Sequence, residues 1–213
     1  MCNRVVIGID QSYTRTGITV LCDKEVFEMY NINYAGYKTN TDKRAILKIK
    51  LTDIIEQIVV DLGAPDDITI ITERIRLRSQ GFLSENYIKS TGALVAVIVD
   101  VANEYHIPVY SVDTRAWKSA IVGSSKPLNN PYGINPEKYR TILYMRDRGL
   151  LHYIAEEYKG RGEKGVIWAN RRSVDGKKER VRIKVNDDLA DSYCIAMYGF
   201  LPKRKQKLKE ETF

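Results

Sequence analysis

The stretch Asn186-Asp187-Asp188-Leu189-Ala190-Asp191-Ser192 carries three carboxylates within five residues. Asn186 or Asp187 can cap a helix N-terminus, where acidic side chains suit the positive end of the dipole. Asp188 and Asp191 are three apart and share one face of that helix. A cap needs one carboxylate. Three held close repel one another unless cations are present, and oxygen-only ligands suit a hard divalent ion. The plain alternative is an acidic helix start on a solvated surface. The choice turns on whether other carboxylates converge on the same place.

Two segments can bring them there. Val5-Val6-Ile7-Gly8-Ile9-Asp10 reads as a buried strand that ends in a carboxylate, an expensive choice unless that sheet edge is a site. Thr16–Leu21 and Glu25–Ile32 read as two further strands, with Asp23-Lys24 as a tight turn, so an antiparallel meander is expected. Residues 41–62 are helical, with Leu47, Leu51, Ile54, Ile55 and Ile58 on one face and Gly63-Ala64-Pro65 as the stop. Ile68–Glu73 is a fourth strand that also ends in an acid. A helical crossover makes it parallel to an earlier strand. If it lies beside the first, Asp10 and Glu73 meet at one sheet edge.

Composition sets the outer bounds. The chain has 213 residues, 44% hydrophobic and 29% charged, enough for one globular domain with a proper core. No apolar run reaches membrane-spanning length, and no signal peptide is read at the start. Cys2, Cys22 and Cys194 are widely spaced and suggest neither a zinc site nor a disulfide framework, which fits a reducing cytoplasm. Net charge is +7, which favours a polyanionic partner. Between Lys159 and Lys184 ten Lys or Arg face three Asp or Glu, an excess of seven that equals the whole chain's.

The remaining elements follow. Arg74-Ile75-Arg76-Leu77-Arg78 alternates strictly, so Arg74, Arg76 and Arg78 would share a face beside the acids, suited to phosphates. Residues 83–105 read as a long helix that is apolar all round at Ala93–Val99, with one face for the sheet and another for a second subunit. Pro108–Val112 is a fifth strand, and Asp113 or Thr114 caps a short helix carrying Arg115, Trp117 and Lys118. A loop precedes Pro136, which opens a helix expected to run to about Tyr158. Val166–Trp168 and Val181–Val185 flank Asp175-Gly176 as a projecting basic hairpin, with a disordered basic loop as the alternative. Residues 203–213 read as a solvated basic tail. The expected fold is α/β: a mixed five-stranded sheet, three strands antiparallel and then parallel ones, flanked by helices. One domain is expected over residues 1–202, with an insertion at about 128–185 that holds the hairpin at about 164–185.

Asp10, Glu73, Asp188 and Asp191 thus form one candidate acidic cluster in a basic protein. Two divalent ions about 4 Å apart, bridged by such acids, can activate a water and stabilise a leaving 3′ oxygen. Mg²⁺ is favoured, since no His or Cys cluster appears; Mn²⁺ can substitute.

At this point the sequence resembles the RuvC family of Holliday junction resolvases, which have the ribonuclease-H-like fold. The likeness rests on Ile7-Gly8-Ile9-Asp10 with Thr16-Gly17, on Thr72-Glu73, and on Lys89-Ser90-Thr91-Gly92-Ala93 leading into an apolar helix. It rests also on Arg115-Ala116-Trp117-Lys118 followed by Gly123 and Lys126, and on Asp188-Leu189-Ala190-Asp191-Ser192. It covers most of residues 4–126 and 186–200. It implies a metal-dependent endonuclease for four-way and other branched DNA, with Asp10, Glu73, Asp188 and Asp191 as metal ligands and Lys118 and Lys126 near the scissile phosphate. It implies a homodimer through the helix at about 83–105, without membrane association. Arg76 stands where some relatives have an aromatic that stacks on a junction base, and Phe82 is a substitute. The long stretch 128–185 points to a phage-type or divergent member, acting in the cytoplasm of a bacterial cell or infected host. Expected DNA contacts are Arg74, Arg76, Arg78, Phe82, Arg115, Lys126, Arg171, Arg172, Lys177 and Lys178.

Two rivals are weaker. An actin-like ATPase needs a second phosphate loop and an adenosine site, and neither is found. A non-catalytic DNA-binding module has no use for four acids that repel phosphate.

Overall fold

The β-branched run after Arg4 forms β1 (Arg4–Gln11), which turns into β2 (Arg15–Cys22) and β3 (Glu25–Asn33) as an antiparallel meander. Asp23 and Lys24 both take positive φ, 47° and 78°, the backbone that a two-residue hairpin turn requires. A capping box between Thr39 and Asp42 starts α1 (Asn40–Leu62), and Gly63 ends it with φ 75°. The chain returns as β4 (Asp67–Glu73), parallel to β1, with Ile9 beside Thr72. α2 (Glu85–Glu104) leads to β5 (Val109–Val112), parallel to β4. α3 (Thr114–Ile121), α4 (Pro136–Arg146) and α5 (Leu151–Ile154) follow. β6 (Ala155–Glu157), β7 (Val166–Arg172) and β8 (Lys178–Val185) make a separate three-stranded antiparallel sheet in the order β6-β8-β7. α6 (Asp187–Gly199) and β9 (Leu208–Glu210) complete the chain. The computed structural model describes residues 2–63, 65, 67–75, 85–123, 135–159, 166–172 and 178–211.

The main sheet has the order β3-β2-β1-β4-β5-β9. Strand alternation gives it two apolar faces. Val5, Ile7, Ile9 and Ile70 pack with Leu47, Leu51 and Ile58 of α1 and Leu94 and Ile98 of α2. Val6, Ile71 and Val112 pack with Ile195 and Tyr198 of α6, Trp117 of α3 and Ile142 of α4. Asp10 and Glu73 fall on the second face by strand parity.

Three expectations are corrected. The sheet has six strands rather than five, because part of the tail is ordered: β9 pairs antiparallel with β5 while Lys203, Arg204, Lys205, Lys207 and Lys209 stay exposed. Gln206 donates its amide to the Gly199 and Leu201 carbonyls, both at 2.7 Å, and so satisfies orphan acceptors at the end of α6. The helix from Pro136 stops at Arg146 rather than near Tyr158; Gly149 turns the backbone at φ 74° and the chain re-enters as α5 and β6. Cys2 and Cys22 form a disulfide, with Cα atoms 5.7 Å apart, because the β1–β2 hairpin brings together residues 20 apart in the chain.

α6 meets the sheet without a side chain between them. A Cβ on Gly8 would lie 2.3 Å from the Ser192 carbonyl oxygen, and one on Gly17 would lie 2.3 Å from that of Asp188. Between these points Thr19 and Ser192 share a buried hydroxyl hydrogen bond of 2.7 Å. Gly8→Ala should therefore cost about 1–3 kcal/mol, because the helix must lift or its neighbours must shift. Gly36→Ala, where the added methyl meets nothing within 4 Å, should change the unfolding free energy by less than about 0.5 kcal/mol. Denaturant unfolding of both variants checks this, and equal stability of the two would refute the close docking.

Candidate active site

Each acid of the cluster is positioned by an identifiable contact. Asp10 ends β1 opposite Gly17 of β2, the residue on which the Asp188 backbone rests. Gln11, itself buried, ties the ends of β1 and β4 together: its amide nitrogen donates to the Glu73 carbonyl and its amide oxygen accepts from the Glu73 N–H at 3.3 Å. The Thr114 hydroxyl donates to Oε1 of Glu73, and the indole Nε1 of fully buried Trp117 donates to Oε2 at 3.3 Å. α3 therefore fixes that carboxylate. Asn186 caps α6 by accepting from the N–H groups of Asp188 and Leu189 at 3.1 and 3.2 Å, which leaves Asp188 and Asp191 free to face the sheet edge.

Asp10, Glu73, Asp188 and Asp191 line one open cleft of about 530 Å³ with Arg15, Arg74, Lys118 and Lys138. Burial, and then repulsion from Asp191, Glu73 and Asp188, pushes the Asp10 carboxyl well above the usual range, while Lys138 opposes the shift. Burial pushes Asp191 up to about 7 against the pull of Lys118 and Thr141. Asp188 is also raised, by burial and by Asp187, with Arg15 and Lys138 opposing. Arg15 Nε stands 2.8 Å from Asp188 Oδ2, and Lys138 pairs with Asp187. Burial pulls the Lys138 ammonium down, but the bond to Asp187 and the charges of Asp187, Asp188 and Asp191 raise it overall.

The donor set fits a divalent cation. All four groups offer hard oxygen ligands. Asp191 Oδ1 is buried with no hydrogen-bond partner, an expensive state that a bound ion would relieve. The ring is nevertheless open: among the described residues no three of these acids bring oxygens within 4.8 Å of one another.

Of the residues expected at the site, Asp10, Glu73, Asp188, Asp191, Lys118 and Arg74 converge on the cleft. Arg115 does not line it; that side chain is exposed on α3. Arg76, Arg78, Phe82, Lys126 and Lys177 lie outside the described residues. Arg171, Arg172 and Lys178 lie on the β7–β8 hairpin. Its register pairs Arg172 with Lys178 and Trp168 with Arg182, on the same face as Arg180 and Lys184; Arg171 pairs with Glu179 on the other face.

Lys138 and Arg15 are cleft residues that sequence reading missed. Arg15 had a signal, since it shares strand parity with Gly17, the partner of Asp10. Lys138 had none, because it enters from a helix beyond a long loop.

No family model matches this chain and no curated protein matches it. Solved structures do, and two of them align nearly end to end. RuvC of Thermus thermophilus in complex with a Holliday junction substrate aligns over 98% of this chain and 99% of its own, at 15% identity and a TM-score of 0.59. A second Thermus thermophilus RuvC structure aligns over 97% and 99%, at 15% identity and a TM-score of 0.57. The chain has the RuvC fold.

The raised carboxyls predict a pH response. In metal-free buffer the folded RuvC-like domain keeps a proton on Asp191 where the unfolded chain has released it. The stability so gained is complete below about pH 4 and is lost as pH rises through about 7. The unfolding midpoint of the wild type should fall across that window more than that of Asp191→Asn. Mg²⁺ at pH 8 should recover part of the loss in the wild type alone. Parallel pH curves for the two proteins would place Asp191 outside a buried acid cluster.

Proposed function

We propose that this chain is a structure-selective endonuclease that cleaves Holliday junctions, and other branched DNA, by divalent-metal-dependent phosphodiester hydrolysis. The observation that carries the reading is the convergence of Asp10, Glu73, Asp188 and Asp191 on one cleft within a fold shared with a protein solved on a Holliday junction. Acids alone would repel DNA. Their setting in a chain of net charge +7, with four cations around them, suits a phosphate held against bound metal.

The four carboxylates would hold Mg²⁺, two ions per site, with Mn²⁺ able to substitute. Bound ions of this kind activate a water as nucleophile and stabilise the charge of the leaving oxygen. The chain's own groups do the rest. Gln11, Thr114 and Trp117 keep Asp10 and Glu73 in register. Lys118 and Lys138 present ammonium groups to the oxygens of the scissile phosphate, where negative charge grows during attack. Arg15 neutralises part of the acid charge beside Asp188. The paired strands β7 and β8, which carry Arg171, Arg172, Lys178, Arg180, Arg182 and Lys184, support contact with a DNA arm through phosphates.

A homodimer through α2 belongs to the same reading. The outward side of that helix carries Gly92, Ala93 and Ala96, all partly exposed and small enough for close helix approach, with exposed Lys89 and Asp100 beside them. Two clefts related by a twofold axis match the symmetry of a four-way junction.

Asp10→Asn and Glu73→Gln should each abolish Mg²⁺-dependent cutting of a synthetic four-way junction while leaving junction binding within a few-fold of wild type. Lys138→Ala should lower the single-turnover cleavage rate by about 10²–10³. A panel of four-way junction, Y-fork, duplex, single strand and RNA–DNA hybrid tests the substrate class. Undiminished cutting by either acid variant, or no preference for branched DNA, would sink the proposal.

The hairpin is tested separately. Deleting residues 170–180 should weaken junction binding and flatten its dependence on salt concentration. An unchanged salt slope would remove the hairpin from the DNA contact surface.

A further inference from the structure

A second cavity, of about 260 Å³, borders the acid cleft across the shared wall of Glu73, Arg74 and Ile75. It lies on the α2 side of the sheet, by the ends of β4, β5 and β9, and is lined from α2 by Val95 and by Gly92 at the edge of that helix's outward side. Its polar groups come from three strands. Arg74 Nε donates to Ser111 Oγ at 3.3 Å, and the Ser111 hydroxyl donates to the Glu211 carboxylate. Lys209, paired in register with Ser111, lines the same space. Thr72 also lines it, and its Oγ1 is buried with no hydrogen-bond partner.

These features are difficult to explain as packing alone. A fully buried hydroxyl left without a partner costs stability, and a valine of the same shape would avoid that cost. Arg74 and Lys209 against Glu211 leave one net positive charge, with Glu73 counted in the acid ring. That matches one phosphodiester. The Glu211–Ser111 chain orients the Arg74 guanidinium along the wall between the two cavities. The tail that supplies Lys209 and Glu211 is anchored to the framework through β9 and Gln206.

We propose that this cavity is a second backbone-phosphate subsite, which binds a phosphodiester flanking the scissile one, with Arg74, Lys209 and the Thr72 hydroxyl as donors. The proposal rests on the DNA-cleaving reading above and adds the path of the strand. From the acid cleft the backbone crosses the edge at Arg74 and Ile75 and enters the α2 side. Glu211 and Ser111 are positioning residues for Arg74.

The test uses the full chain and a four-way junction in metal-free buffer, with binding measured across a salt series. Lys209→Ala should weaken binding about 5–10-fold and reduce the salt slope by about one. Thr72→Val should weaken binding several-fold while its thermal midpoint equals or exceeds that of wild type, a combination that a purely structural threonine cannot give. Glu211→Gln should weaken binding less than Arg74→Ala, in the same direction. The inference is overturned if the wild type binds the junction and Lys209→Ala keeps its slope, or if Thr72→Val binds as wild type. Inorganic phosphate that stabilises the wild type but not Thr72→Val, with DNA binding equal in both, would assign the cavity to free phosphate and overturn it too. Failure of the wild type to bind any branched DNA would instead remove the functional reading together with the subsite.

Discussion

The approach of α6 to the sheet sets everything else. Four carboxylates sit around one cleft, and burial disfavours the charge of Asp10, Asp188 and Asp191, so the acids cannot hold themselves together. Backbone does it for them. Gly8 and Gly17 leave no side chain between helix and strands, and the Thr19–Ser192 hydroxyl pair pins the contact between them. The force that closes the contact is apolar: Tyr193, Ile195, Ala196 and Tyr198 of α6 are buried against Val6, Leu21, Ile71 and Trp117. A buried side chain of this size contributes ~1.5–3 kcal/mol. Several of them offset the several kcal/mol that each buried, partly unpaired carboxylate costs. The packing thus holds the acids in an electrostatically costly arrangement, which the cation of the proposed function would relieve.

Charge is distributed to match. The basic excess lies in the segment from Lys159 to Lys184, which carries β7 and most of β8 rather than the acid cleft. Among the described residues four cations line that cleft. On the reading proposed above, a polyanion would be attracted at a distance by one surface and handled locally by another, and the acids would meet phosphate with metal between them. Such a division would separate affinity, which falls with salt, from chemistry, which would need the metal.

How legible this was depended on the kind of signal. The pairing of Asp10 with Glu73 was readable, because strand, helix, strand enforces a parallel neighbour and both acids end their runs. The Asp188–Asp191 face was readable from spacing alone. Lys138 was not, since a loop of ambiguous length precedes α4 and no periodicity links it to the cleft. The tail was misread because Lys203 to Lys209 looks like a solvated charge run; only Leu208 turns inward, and a single apolar residue is too little pattern to announce a strand. Edge strands carry charge on their open side as a matter of course, so a lysine-rich segment is compatible with either fate. The Cys2–Cys22 disulfide was hidden for a related reason: it is a product of hairpin register, not of cysteine spacing.

Arg15 and Lys138 show how a cluster of acids can be kept folded by side-chain cations. Each brings a positive charge to the acids, yet neither relieves Asp191, whose Oδ1 keeps no partner. Side-chain cations are tethered and monovalent, so they reach the outer acids Asp187 and Asp188 and stop there. The inner pair, Asp10 and Asp191, holds its protons more readily than ordinary carboxyls because burial outweighs the opposing pull of Lys138 on Asp10 and of Lys118 and Thr141 on Asp191. A small divalent ion has no tether and can enter where the side chains cannot. On the reading proposed above, the two basic residues would then remain at the rim, no longer needed as partners for the acids and placed to meet a phosphate. The same pair of side chains would serve both states of the cleft, and the openness of the acid ring would permit the exchange.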